Sequence, residues 1–374
     1  TTEFSPMGFL PEIAHDLHIA IPQAGLLISA YAVGVMIGAP LMTLWFSRYS
    51  KRNALILLMA IFTVGNLLAA AAPSYLSLIG SRLITSLNHG AFFGIGSVVA
   101  ASVVPKDKQA SAIAMMFMGL TIANIGGVPL ATWVGQHIGW RSAFAGIAVL
   151  GVITMLSLFK ALPQGSVGQK PDVMQELKVL TRPAVMLALL TTVMGAGILF
   201  TLYTYIAPTL STITHASPTF VTCMLVLVGL GFSIGNHYGG KFSDQSIDRT
   251  LIGFLVVLIV LMGLFPILAK TSIGAAISLI IFGAATFALV PPLQMRVMSV
   301  AHEAPGLASS VNIGAFNLGN ALGAALGGAV ISLNMGYAAV PVSGAVLAAL
   351  TLVLVLVQKR LYQHDHPATC EAAS

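Results

Sequence analysis

Eleven stretches of this chain are long and apolar enough to cross a lipid bilayer, and nothing else in the sequence restricts the fold as strongly. They run approximately over residues 24–46, 54–72, 75–104, 109–135, 141–162, 183–210, 218–240, 250–269, 272–297, 306–332 and 337–358. A helix needs about 20 mostly apolar residues to cross ~30 Å of hydrocarbon. Composition agrees: 57% of residues are hydrophobic and only 7% are Asp, Glu, Lys or Arg, whereas a soluble domain carries about 25% charged residues. A chain with mean hydropathy +0.93 cannot cover a water-facing surface of its own size. A soluble enzyme, a disordered chain and a nucleic-acid binder are therefore excluded, despite a pI of 9.4. No stretch alternates like the strands of a membrane barrel, and Cys223 and Cys370 make no disulfide framework. The expected class is an all-α membrane protein.

Residues 1–11 are apolar apart from Glu3 but too short to span. They read as the second half of a first helix truncated at its N-terminus, with an interfacial segment as the alternative, which gives twelve spans in all. Basic residues set the orientation. Arg48, Lys51, Arg52, Lys106, Lys108, Lys160, Lys170, Lys178, Arg182, Lys241, Arg249, Arg296, Lys359 and Arg360 fall on one side, and only Arg141 and Lys270 on the other. Under the positive-inside rule the first side is cytoplasmic and carries both termini. The polar connection 163–182 divides the chain into a six-helix bundle at 1–162 and a second at 183–358, followed by a cytoplasmic tail at 359–374. The halves repeat weakly. Pro22 matches Pro218, Gly34 and Gly38 match Gly231 and Gly235, and Asn124-Ile125-Gly126 matches Asn317-Leu318-Gly319, at offsets of 193 to 197 residues. Parallel six-helix repeats with sites near the midplane are a transporter architecture.

On these motifs the chain resembles the major facilitator superfamily over its whole length. Gly240-Lys241-Phe242-Ser243-Asp244-Gln245 is similar to the signature between helices 8 and 9, and Ser47-Arg48-Tyr49-Ser50-Lys51-Arg52 to its partner between helices 2 and 3. Ser47 stands where the family usually has Asp. Arg82 with Ser86 and Gly90 resembles the helix-4 motif of proton-coupled members. Gly119 through Gly127-Val128-Pro129 resembles the helix-5 antiporter motif, with Val128 interrupting the usual Gly-Pro pair, and Trp140-Arg141-Ser142-Ala143-Phe144 a common start of helix 6. Thr1 to Pro6, Asn88 to Gly94 and Ala123 to Pro129 resemble the drug:proton antiporter-1 family, in its bacterial arabinose-efflux-permease-like branch. The resemblance implies a twelve-helix bundle of two pseudo-symmetric six-helix halves, gated by Arg48, Lys51, Arg52, Asp244, Arg249 and Pro129.

Only Glu3 and Arg82 carry formal charge well inside a span. A charge at the bilayer centre costs at least ~2.5–3.5 kcal/mol, so such residues face a cavity or one another. At ~1.5 Å per residue, Glu3 lies roughly 12 Å and Arg82 roughly 10 Å from the outer helix ends, and since helices 1 and 4 both line the central cavity in the resembled fold, an ion pair between them is feasible. A carboxylate there exchanges a proton as its neighbours change; a permanent salt bridge is the structural alternative. His89 lies on the same helical face as Arg82 and Ser86 and can relay a proton or bind substrate, or else simply bond a neighbouring helix. Asn88, Asn124 and Asn317 offer amides that serve substrate or helix packing. Tyr203, Tyr205, Phe287 and Gln294 offer an aromatic and polar lining, with an interfacial aromatic belt as the alternative for the tyrosines. The Pro291-Pro292 pair predicts a bend.

No metal or cofactor constellation is visible, and without a Walker A motif ATP is not the energy source. The expected function is a proton-coupled antiporter exporting a small molecule (a sugar, drug or related amphipathic metabolite) by alternating access. Its partners are that substrate, protons and the bilayer, with no nucleic acid. It is expected to be a monomer in the bacterial cytoplasmic (inner) membrane. The alternatives are an uncoupled facilitator, a proton-symport importer and, more distantly, a membrane-embedded enzyme; export and substrate class come from the resemblance alone.

Overall fold

The computed structural model describes residues 2–3, 5–19, 21–163 and 173–365. Most of the 163–182 connection and the end of the tail lie outside them. The described residues form helices and connecting turns, with no strand. The helices are α1 (Ser5–Gly8), α2 (Leu10–Asp16), α3 (Ile21–Phe46), α4 (Lys51–Ala70), α5 (Tyr75–Ser102), α6 (Gln109–Ile122), α7 (Val128–His137), α8 (Trp140–Ala161) and α9 (Val173–Leu180). The second part of the chain adds α10 (Pro183–Tyr203), α11 (Ile206–Ile213), α12 (Pro218–Gln245), α13 (Ile247–Leu268), α14 (Ser272–Phe287), α15 (Val290–Val300), α16 (Pro305–Ser332) and α17 (Ala339–Asp365). Among the described residues, eleven helical segments are long and apolar enough to cross a membrane, from Gln23–Phe46 to Ala339–Arg360.

Helix ends follow local chemistry. The hydroxyls of Ser50, Ser217, Ser246 and Thr271 accept a hydrogen bond from the backbone N–H three residues on, opening α4, α12, α13 and α14. Ser74 and Ser77 form a reciprocal capping box at the start of α5. Interruptions follow proline, which lacks an N–H and crowds the carbonyl four residues back. Val128-Pro129 lies behind a π-helical turn at Ala123–Gly127 between α6 and α7. Pro208 forces the break between α10 and α11. Pro291 and Pro292 cannot pair with the carbonyls of Phe287 and Ala288, so the expected bend falls one turn before them, between α14 and α15.

Packing sorts these residues into two compact units. The first comprises residues 1–103, 116–179 and 302–317; the second comprises 104–115, 180–301 and 318–374. In the first, α3 packs on α5, and α4 on both α5 and α8. Phe9, Ile13, Leu27, Leu78, Trp140 and Phe144 form one buried cluster there. In the second, α12 packs on α14, while α17 packs on α10 and α13. Here glycine permits the approach. Gly231, Gly235 and Gly239 of α12 press against the carbonyl oxygens of Ile280, Ala284 and Ala288, one turn apart on α14. Small residues at four-residue spacing are how helices approach closely in lipid.

Candidate proton and substrate site

In the first unit, α5 carries Arg82 and His89 two turns apart on one face, and α3 lies alongside. Arg82 is 1% exposed. Its Nη1 donates to the Thr2 hydroxyl at 3.2 Å, Thr2 donates to the Asn66 side-chain oxygen at 2.8 Å, and the Asn66 amide donates to the Phe62 carbonyl. The guanidinium lies 4.3 Å from the centre of the Tyr31 ring and 5.8 Å from that of Phe144. Its Nε and Nη2 are buried with no hydrogen-bond partner among the described residues.

Glu3 does not make the ion pair with Arg82 that their matched depths left feasible. Its carboxylate lies 3.9 Å from His89 Nδ1, and the neighbouring Thr2 takes the guanidinium instead. The depth estimate assumed one continuous helix from Glu3 to Pro11. In the structure α1 ends at Gly8 and α2 begins at Leu10, so the assumed rise per residue does not hold. His89 also meets the Tyr31 hydroxyl at 3.1 Å and packs on Phe93, which stacks on Phe117. Thus Glu3, Arg82 and His89 do belong to one buried cluster, joined through Thr2 and Tyr31. Sequence reasoning missed both of these residues. Tyr31 lies in the first complete span, one turn from Gly34, and a lone aromatic hydroxyl there was the available signal.

The amides differ in role. Asn88 is buried, and its Nδ2 has no partner among the described residues. Asn124 is half-buried within the π turn. Asn317 donates to the Ile313 carbonyl of its own helix, a local bond that steadies α16.

In the second unit, Phe232 and Phe287 stack with ring centres 4.0 Å apart. Tyr203 lies 5.8 Å from Phe232 and 6.0 Å from Phe200. The structure thereby joins Tyr203 to Phe287 through Phe232, which the sequence did not single out. Tyr205 is separate: its hydroxyl donates to the Ala324 carbonyl at 3.0 Å and its ring presses on Gly327, so it holds α16 in place. Gln294 is fully buried. A further buried network also escaped notice. Arg296 pairs with Asp248 and donates to Gln358 Oε1 at 2.9 Å. In the sequence Arg296 closes the tenth span among the basic residues of the cytoplasmic side, and Gln358 closes the last span without standing out.

Of the gate residues, Asp244 has the clearest part. It accepts from the backbone N–H of Ala110 at 2.8 Å, from that of Ser111 at 3.2 Å, and from the Ser111 hydroxyl. A carboxylate thus caps the N-terminus of α6, where the helix dipole favours it. Ser47, at the corresponding place in the first half, instead donates to the Leu44 carbonyl of its own helix at 2.6 Å. Arg48 lies over Trp45 and Tyr49, and Arg52 lies over Phe159 while donating to its carbonyl at 2.7 Å. Lys51 is exposed at the start of α4, Arg249 lies in the capped first turn of α13, and Pro129 follows the π turn. Beyond the spans, Arg141 pairs with Asp16, which also accepts from Trp140 Nε1 at 3.1 Å, and donates to the Ala72 carbonyl at 2.9 Å. The Arg141 guanidinium holds the Asp16 carboxyl below the usual carboxylate range.

The profile of the Major Facilitator Superfamily matches residues 1–312. The chain belongs to the major facilitator superfamily. Within that superfamily it is 67% identical over 360 residues to the inner membrane transport protein YdhP of Escherichia coli strain K12, covering 96% of this chain and 92% of that protein. It is 36% identical over 349 residues to the putative transporter AraJ of the same strain, covering 92% and 88%. These likenesses place it in the arabinose-efflux-permease-like branch of the drug:proton antiporter-1 family. The fold matches the crystal structure of the E. coli fucose:proton symporter FucP, with a TM-score of 0.74 and 14% identity, over 96% of this chain and 98% of that one. A major facilitator protein is a membrane transporter rather than an enzyme, and it works on a small-molecule substrate from within a lipid bilayer.

Proposed function

We propose that this transporter is a proton-coupled antiporter that exports small amphipathic molecules, sugars or drugs among them, from the bacterial cytoplasm. The observation that carries the reading is the Glu3 carboxylate 3.9 Å from His89 Nδ1, in a buried cluster with the Arg82 cation. Ionisable side chains within a membrane span mark ion and substrate pathways, and here an acid and a base face each other where a proton can be held by either. Arg82 is the fixed cation of this cluster. His89 and Asn88 on α5, the aromatic group of Tyr203, Phe232 and Phe287, and the buried Gln294 contact substrate. Export follows the branch to which the chain belongs.

Two six-helix halves, at 1–162 and 183–358, rock around a midplane site, with the Asp244 cap on α6 made and broken in each cycle. The protein acts as a monomer in the inner membrane with its C-terminus in the cytoplasm. A thermal-shift screen of the full chain in detergent, with sugars, nucleosides and lipophilic cations, identifies a substrate. In everted membrane vesicles a pH gradient, acid inside, then drives uptake of that compound, and Glu3→Gln abolishes the pH dependence. Transport indifferent to the gradient and unchanged in Glu3→Gln would overturn the reading.

A further inference from the structure

The Tyr31 side chain touches both functional residues of α5. Its hydroxyl lies 3.1 Å from His89 Nδ1, and its ring lies beneath the Arg82 guanidinium at 4.3 Å. Tyr31 is 1% exposed, and a buried hydroxyl needs a partner. Among the described residues the hydroxyl hydrogen has one acceptor within reach, His89 Nδ1, because Arg82 is a donor only. Tyr31 therefore donates, and Nδ1 accepts with its lone pair. The neutral imidazole must then carry its hydrogen on Nε2.

That arrangement conflicts with an ionised Glu3. The carboxylate faces the same Nδ1 at 3.9 Å, and a carboxylate beside an occupied lone pair has nothing to accept. Two patterns resolve the conflict with the same number of protons. In one, Glu3 is protonated and Tyr31 donates to neutral His89. In the other, the Glu3 O–H bond has broken and an Nδ1–H bond has formed, leaving a carboxylate beside an imidazolium that donates to it. The second pattern requires the Tyr31 O–H to rotate off Nδ1 first. The charged groups facing this ring are Glu3 from the N-terminal segment and Arg82 from α5; α8 contributes Phe144, and Phe93 of α5 covers the imidazole.

We propose that Tyr31 is the positioning residue of the proton site: its hydroxyl blocks His89 Nδ1 until the Arg82–Tyr31 stack shifts, and so gates proton transfer between Glu3 and His89. The proposal rests on the proton-coupling reading above. It joins the proton to the cation on α5, because whatever moves Arg82 moves the ring beneath it.

The test is nitrogen-15 NMR of the full chain, labelled in its nine histidines and held in lipid nanodiscs, with the His89 signal assigned by its loss in His89→Gln. In Glu3→Gln, whose neutral side chain stands in for the protonated acid, the ring at alkaline pH is expected in the Nε2–H tautomer with a hydrogen-bonded Nδ1. Adding Tyr31→Phe, which keeps the ring under Arg82, lowers the tautomer ratio about fivefold, on the order expected for one lost neutral hydrogen bond. A ratio left unchanged by Tyr31→Phe overturns the inference alone, as does a Glu3→Gln ring found mainly as Nδ1–H. If Glu3→Gln still moves protons in the vesicle assay, the underlying reading falls and the gate with it.

Discussion

Replacing Asp244 tests whether one carboxylate holds the start of α6. It receives two backbone N–H groups, from Ala110 at 2.8 Å and Ser111 at 3.2 Å, together with the Ser111 hydroxyl. Hydrogen bonds to a charged acceptor contribute roughly 1.5–3 kcal/mol each, and a carboxylate at a helix N-terminus gains about 0.3–1 kcal/mol from the dipole. Asp244 is half-buried, so solvent screening removes a large part of this, and about 2 kcal/mol for the whole cap is a fair sum. Opening of these amides to solvent follows local stability, and each 1.36 kcal/mol is tenfold. Hydrogen–deuterium exchange of the peptide covering Lys106–Ala114 should then speed up about 30-fold in Asp244→Ala. Asp244→Asn retains one carbonyl acceptor without the charge and should fall between the two. Exchange unchanged in Asp244→Ala would show that the carboxylate is incidental to this helix.

The Asp16–Arg141 pair makes a pH-dependent contribution. Arg141 lowers the folded-state Asp16 pKa, so its contribution is present above the unfolded value of about 3.9 and is lost as pH falls through the folded value. Because the pair is exposed, the effect is below about 1 kcal/mol. The Tm difference between wild type and Asp16→Asn should be small at pH 7 and close as pH falls below the ordinary carboxylate range. Gly235→Ala places a methyl group against the Ala284 carbonyl and should lower stability by about 1–3 kcal/mol through overpacking. Gly263→Ala, where nothing lies within 4 Å, should leave it unchanged or raise it; denaturation in mixed detergent micelles compares the two.

The span count and the helix limits were legible because burial in lipid leaves little choice: a continuous apolar run must be a helix, and Ser50, Ser74 and Ser246 mark where helices begin. Gly231 and Gly235 were legible as the repeat of Gly34 and Gly38, whereas their close approach to α14 came only from the structure. The ionisable residues were conspicuous by scarcity, which is why Glu3, Arg82 and His89 could be picked out before their contacts were known. Their partners could not. Thr2 and Glu3 precede α1 rather than lying within a helix, and no periodicity announces which of the two meets Arg82. Tyr31, Phe232 and Gln358 are single residues in apolar helices, and their importance comes from neighbours far away in the chain. Tyr205 shows the same limit: nothing in the sequence announces that its hydroxyl meets the Ala324 carbonyl.

The central claim, that substrate moves in exchange for protons carried by Glu3, is tested most directly by proton movement itself. The full chain is reconstituted in liposomes holding a pH-sensitive dye, and the substrate identified by thermal shift is added outside. Antiport predicts that the lumen becomes alkaline as substrate enters and protons leave, and that Glu3→Gln gives no change. An acidified lumen, an unchanged lumen in the wild type, or a Glu3→Gln response equal to wild type would contradict the account.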